Sequence, residues 1–505
     1  AASCIRTATD GMVINTKNDR SVAARKLVVE MLVADQPPKS TAHDQSSHFW
    51  DMAKMQDITV SRFPAMENQR VPLLDASHLA MSVNLDACIH CNLCVRACRE
   101  VQVNDVIGMA GPNSRWIKSA DKVADTGKLA AEAYAASFGP KPGPVSLLLP
   151  ADSAWLEGGT KGALVRPAPL RTIPEDKIAA AAKQIASAKT PVILINGTAL
   201  SEAGLAAAAR LKAAGLRVLT DTFYTKMRRG AGVFAPERMQ YFAEGAVADL
   251  EGSDLMVLAG TSAPVAFFSY PGKPSLLVPE GCELLNLGDA STDSAATLAA
   301  LADSMGAKDA APAEVLAEPD LPKGDLTAQS VGQSLARHMP ENALVSDDGV
   351  SNGLLSYLPT MNARAHDWMM LTGGAIGQGM PLALGAAIAA PERKVICLSG
   401  DGAGMYTNQA LWSMAREGAD VTTIVFVNHS YRILNIELYR TGAGNPGPTA
   451  KNMLSIGGPD IDWVQLSSSL GVPAVAAATA EDFDAALAEA IAAPGPRLVA
   501  AIVPG

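Results

Sequence analysis

The segment Gly400-Asp401-Gly402-Ala403-Gly404 follows the apolar run Val395–Ser399 and opens a helical pattern that runs through Asn408–Arg416. A glycine turn between strand and helix brings backbone N–H groups and the positive helix end close to a phosphate. An acidic side chain inside that turn would repel phosphate, so Asp401 calls for a divalent cation between the two. Mg²⁺ suits the position, because it is held by one or two carboxylate or amide oxygens together with phosphate oxygens. Its second protein ligand is expected at the end of the next strand. The run Val421–Val427 is that strand, and Asn428 ends it, 27 positions after Asp401. Neighbouring ends of a parallel sheet lie side by side, so Asp401 and Asn428 can reach one ion, and the Ser430 carbonyl offers a further oxygen. Gly-Asp-Gly alone is an ordinary turn; the asparagine at a strand end gives it chemical meaning.

A second group with chemistry is Cys88-x2-Cys91-x2-Cys94-x3-Cys98. This is the spacing that wraps three thiolates around a four-iron cubane and lends the fourth to another cluster. No cysteine occurs between Cys98 and Cys282 to complete a second site. Zinc accepts four thiolates at a related spacing, so the spacing leaves both metals open. Four of the seven cysteines crowd into this short segment. That pattern indicates metal ligation in a reducing cytoplasm rather than a disulfide framework, and the expectation is a soluble, cytoplasmic protein.

These residues need a scaffold. A chain of 505 residues is long enough for roughly three domains. At 48% hydrophobic and 18% charged it buries sizeable cores and is not intrinsically disordered. The net charge of −10 gives no basic field for nucleic acid. No apolar run approaches the ~18–20 residues of a membrane span. Beyond about Ser114, short wholly apolar runs alternate with alanine-rich helical stretches: Pro144–Pro150, Pro191–Asn196, Leu216–Asp221, Asp254–Gly260, Val395–Ser399 and Val421–Asn428. That alternation predicts an α/β fold with parallel sheets covered on both faces. Proline- and charge-rich stretches at Arg166–Asp176 and Ala310–Asp325 divide it, giving expected domains at 165–325 and 326–505, a shorter piece at 111–164, and a separate segment at 1–110.

The pattern Gly400-Asp401-Gly402 … Asn428 resembles the diphosphate-binding motif of thiamine-diphosphate enzymes. Residues 111–505 resemble the acetolactate synthase large-subunit and benzoylformate decarboxylase group. Many members carry two asparagines at the end of the motif where this chain has Val427-Asn428. The resemblance implies a multi-domain thiamine-diphosphate-binding fold, with Gly400, Asp401, Gly402, Ala403, Gly404 and Asn428 holding the cofactor and Asp401, Asn428 and Ser430 holding Mg²⁺. In Thr372-Gly373-Gly374-Ala375-Ile376-Gly377 it implies that the Gly374 carbonyl meets the aminopyrimidine and that Ile376 is the wedge bending the cofactor. Gly349 and Ser351, in Asp348-Gly349-Val350-Ser351, would border the diphosphate. The middle segment resembles the central domain, including Arg228-Arg229 and Phe267–Pro274. It shows no dinucleotide fingerprint, so FAD is not expected, and the arginine pair reads as a solvated face. The family also uses a glutamate from an amino-terminal pyrimidine domain. Only the end of that domain, Trp116–Trp155, is expected here, and Glu30, Glu67 and Glu100 do not take the role, so the catalytic residue is unknown.

Residues 1–110 resemble the iron–sulfur region of the NAD-dependent formate dehydrogenase alpha subunit through Ser3-Cys4-Ile5-Arg6, Asp10–Val13, Ser46–Trp50 and the four clustered cysteines. This implies a small ferredoxin-like segment with a 4Fe–4S cluster on Cys88, Cys91, Cys94 and Cys98. Two incomplete halves meeting at Gly108–Pro112 predict a chimeric reading frame. The expected function is a 2-oxo acid decarboxylase or carboligase of the acetolactate synthase type, impaired by the missing glutamate and assembled as a homodimer or homotetramer. An electron-transfer subunit and a cofactor-holding pseudoenzyme are the alternatives.

Overall fold

The computed structural model of the 505-residue chain describes residues 15–42, 44–63, 74–78, 81–84, 114–139, 142–268, 275–310 and 314–504. Contacts divide the chain into two units, after Pro112.

In the first unit, Asn18 caps the helix Asp19–Ala34 by accepting from the Ser21 N–H. Val29 and Val33 of this helix form a small core with Trp50, Ala53 and Ile58; Trp50 and Ala53 come from the helix His48–Met55. Strands β1 (Leu74–His78) and β2 (Met81–Asn84) form an antiparallel pair.

The second unit begins with β3 (Trp116–Ser119), the helix Thr126–Phe138 and β4 (Val145–Leu148), the two strands pairing in parallel. Next come β5 (Pro191–Ile195), β6 (Arg217–Thr220), β7 (Met227–Arg229), β8 (Glu237–Arg238), β9 (Leu255–Ala259) and β10 (Glu283–Asn286). All but β7 form a parallel sheet in the order β10-β9-β5-β6-β8. The remaining strands are β11 (Leu344–Asp348), β12 (His366–Met369), β13 (Val395–Gly400), β14 (Val421–Val427), β15 (Ala474–Ala477) and β16 (Arg497–Ile502). With β7 they form a seven-stranded sheet, β15-β16-β14-β13-β11-β12-β7, parallel except for β7 against β12.

The sequence of β14, Val-Thr-Thr-Ile-Val-Phe-Val, is buried at every position. Alternate residues feed cores on opposite faces: Ile424 and Phe426 with Ile396 and Leu398 on one, Val425 and Val427 with Val395 and Cys397 on the other. Helices cover both faces, the arrangement a wholly apolar parallel strand requires. Each of the six apolar runs read as strands forms one.

Two expectations need correction. The helical pattern after Gly400 is not one helix: Asp401–Gly404 and Ala410–Glu417 are separated by a turn. Two glycines in the first turn weaken helix propagation, and Thr407 donates its hydroxyl proton to the Gly377 carbonyl across the turn. The Arg228/Arg229 pair is not a solvated face. Arg229 is 1% exposed, its guanidinium stacked 3.5 Å from the Tyr357 ring centroid and donating to the Tyr357 carbonyl. A planar, delocalised cation of this kind tolerates burial against an aromatic face.

Candidate functional site

Parallel pairing of β13 with β14 sets Gly400 opposite Phe426, so both chains leave the sheet at the same end. The Asp401 carboxylate accepts from three backbone N–H groups: Gly402 on Oδ1 at 2.8 Å, and Asn428 and His429 on Oδ2 at 3.0 and 2.8 Å. Asp401 and Asn428, 27 positions apart, are therefore in direct contact. Asn428 Oδ1 accepts from the Ser430 N–H, and the Ser430 hydroxyl accepts from Asn435. Burial pushes the Asp401 carboxyl above the usual range, against the pull of its N–H donors. A buried carboxylate whose charge is under-compensated is one that a cation would stabilise.

This donor set fits Mg²⁺: hard oxygens on two adjacent strand ends, to be completed by phosphate oxygens and water. No group of three or more His, Cys, Asp or Glu among the described residues is placed to hold a metal, and a site completed by a diphosphate does not need one. The backbone beside it is open at one point. A Cβ on Gly400 would meet only the Ala403 methyl, at 3.9 Å, whereas one on Gly404 would strike Trp463 at 2.7 Å. Gly404 is thus required by packing, and Gly400 is not. Tyr431 covers Gly402, where a Cβ would come within 2.8 Å of its ring.

The other expected residues gather around the ends of β11 and β13. Gly349 is buried, its N–H donated to Asp347, and Ser351 lies half-buried in the single turn Val350–Asn352. Gly373, Gly374 and Gly377 have φ of 65°, 66° and 96°, conformations that favour glycine. The Gly374 carbonyl accepts from the Ile376 N–H within the turn. The Ile376 side chain is 44% exposed. Phe267 lies against Gly374, where a Cβ would stand 2.7 Å from its ring. Val350 and His429, one at each side of the site, sit at φ 49° and 53°, strain of the kind that collects at functional loops.

Three residues absent from the expected site hold this framework. Asp348 accepts from the Gly377 and Gly379 N–H groups at 2.8 and 3.2 Å. Ser346 donates to the Gly379 carbonyl, and Thr407 donates to that of Gly377. The Asp347-Asp348-Gly349 triplet is a visible signal, but its partners lie about thirty positions on. A separate cavity of about 970 Å³, with Asn196, Thr198, Lys226 and Arg228 in its lining, contains none of the expected site residues. Cys88, Cys91, Cys94 and Cys98 lie outside the described residues, as does most of Phe267–Pro274.

The family described as thiamine pyrophosphate enzyme, C-terminal TPP binding domain, matches residues 349–501. IlvX of Mycobacterium tuberculosis, provisionally named an acetolactate synthase large subunit, is 45% identical over 405 residues, spanning 79% of this chain and 78% of that protein. Benzoylformate decarboxylase of Pseudomonas aeruginosa is 29% identical over 266 residues, half of this chain and 48% of its own length. Among solved structures, the thiamine diphosphate-dependent 4-hydroxybenzoylformate decarboxylase of Rhodococcus jostii RHA1 superposes with a TM-score of 0.64 at 21% identity. That match covers 80% of this chain and 78% of the other. At that identity the likeness shows the fold alone.

Proposed function

The chain belongs to the thiamine-pyrophosphate-dependent enzymes of the acetolactate synthase and decarboxylase type, and from that premise we propose that it binds thiamine diphosphate with Mg²⁺ and decarboxylates or ligates a small 2-oxo acid. The observation that carries the reading is the contact between the Asp401 carboxylate and the Asn428 peptide at two adjacent strand ends. In this reading Asp401, the Asn428 amide and the Ser430 carbonyl hold the cation. Gly400, Gly402, Ala403 and Gly404 give the diphosphate an approach to bare backbone, with Gly349 and Ser351 along its border. The Gly374 carbonyl takes the aminopyrimidine, and Ile376 supports the bent ring pair. When bound, the cofactor supplies the electron sink that lets a 2-oxo acid lose CO₂. The chain's own contribution is to fix its two ends at a set separation.

A homodimer or homotetramer belongs to the same proposal, tested by sedimentation. So does a cytoplasmic location, tested by cell fractionation; no helix among the described residues is long and apolar enough to cross a membrane. The iron–sulfur proposal for residues 1–110 rests on the cysteine spacing and the resemblance of the neighbouring segments, and requires a brown protein with iron and sulfide at cluster stoichiometry.

Calorimetry with thiamine diphosphate tests the main reading: binding should require Mg²⁺ and be lost in Asp401→Ala. Release of CO₂ from pyruvate or benzoylformate then separates an enzyme from a protein that only holds the cofactor. Absence of saturable Mg²⁺-dependent binding in the intact chain would end the proposal.

A further inference from the structure

The turn Gly373–Gly377 has a mechanical problem. It contains three glycines with left-handed backbone, the residue type with the most conformational freedom to lose. The side chain it presents, Ile376, is nearly half exposed, so burial of that side chain does not anchor the turn. Whatever fixes this turn must grip its backbone from beneath.

Asp348 does so. It is the last residue of β11, 1% exposed, and its Oδ2 takes both the Gly377 and the Gly379 N–H. The fit is close: a Cβ on Gly379 would stand 2.6 Å from the Asp348 Cβ. Its other oxygen, Oδ1, is buried without a hydrogen-bond partner. A carboxylate in such surroundings is expensive to bury, but here it satisfies two backbone donors of the turn that an apolar side chain would leave unpaired. The grip also has a reference point. Asp348 pairs in register with Ser399 of β13, and Asp401 stands two residues beyond Ser399. On the other side, the Gly377 carbonyl is held by Thr407, which follows the helix opened by Asp401. The turn is thus tied from two directions to the strand end that carries the metal ligand.

We propose that Asp348 is a positioning residue for thiamine diphosphate, setting the Gly374–Gly379 turn at a fixed separation from the Asp401–Asn428 end so that both ends of the cofactor are met at once. The proposal rests on the cofactor reading above and assigns a function to a side chain whose hydrogen bonds go to the turn rather than to Asp401 or Asn428.

The experiment compares two probes on the intact chain. Inorganic pyrophosphate with Mg²⁺ uses the Asp401–Asn428 end and its Gly349–Ser351 border, whereas thiamine diphosphate with Mg²⁺ uses these and the Gly374–Gly379 turn. Asp348→Ala should weaken thiamine diphosphate by about tenfold or more while changing pyrophosphate by less than about twofold. The near-ultraviolet circular dichroism of the bound cofactor should weaken with it. Asp348→Asn keeps an acceptor oxygen and should stay within about threefold of wild type on both probes. If Asp348→Ala does not fold, Gly379→Ala displaces the same carboxylate by contact and should give the same selective loss. Equal losses on both probes, or no loss on either, would overturn the proposal while leaving the cofactor reading intact. Wild-type protein that binds neither probe would overturn the cofactor reading, and this proposal with it.

Discussion

Single buried charges set the behaviour of the site before any ligand arrives. Burial raises the Asp348 carboxyl from 3.8 to about 7, with Asp347 adding to the effect and the two N–H donors opposing it. A carboxyl whose folded pKa is raised binds its proton more tightly in the native state. Its contribution to stability is therefore full below the unfolded value and is lost as pH rises from about 4 to about 7. His366 acts in the opposite sense. Burial, then the charge of Arg229, holds it down at about 3, so its contribution is full above about 6.5 and is lost as pH falls toward 3. The two oppose each other through the same window, and only a substitution separates them. Asp348→Asn removes the first: its stability relative to wild type should grow by about 3 kcal/mol from pH 5 to pH 8. Paired urea melts would show this, and a difference that is flat with pH would refute the shift. Gly400 yields a second residue-scale prediction. Its backbone, φ −73° and ψ 155°, suits any residue, and a Cβ there meets nothing closer than 3.9 Å. Gly400→Ala should leave the unliganded melting temperature nearly unchanged while lowering Mg²⁺–thiamine diphosphate affinity by about tenfold, read by calorimetry.

At the scale of elements, β13 and β14 were legible because parallel strands buried on both faces must be apolar throughout, and Val395–Ser399 and Val421–Val427 are. The placement of Asp401 beside Asn428 then follows from parallel pairing alone. β7 was not legible. Met227-Arg228-Arg229 reads as polar surface, and what buries it, Tyr357 and Trp368, lies more than a hundred positions away. The grip of Asp348 escaped for the same reason, its partners being backbone groups of a turn elsewhere in the chain. β7 also leaves the five-stranded sheet's segment to become the edge of the seven-stranded one. Arg229, stacked on Tyr357 and 5.1 Å from the Trp368 ring centroid, is the side chain that fastens this edge. Arg229→Ala should open a cavity there and remove the cation closest to Tyr357 and the one over Trp368, a loss of about 3 kcal/mol. Denaturant unfolding measures it, and a change below about 0.5 kcal/mol would mean that the strand pairing alone holds β7.

Across the whole molecule, the described cores of the two units differ greatly in size. The first contains five buried apolar residues, and the second runs through both large sheets. A small core supports only a low melting temperature unless other bonds assist it, so the chain should not unfold as a single two-state body. A ligand stabilises only the part that binds it, by about 2.7 kcal/mol when present at a hundred times its dissociation constant. All the residues proposed to hold thiamine diphosphate and Mg²⁺ lie between Gly349 and Ser430, inside the second unit. Differential scanning calorimetry should therefore resolve two transitions, of which only the one with the larger enthalpy moves upward when cofactor and Mg²⁺ are added together. Chelation should reverse the shift, and Asp401→Ala should abolish it without displacing the smaller transition. If both transitions move together, the first unit is coupled to the cofactor, and the placement of the whole site within residues 113–505 is incorrect.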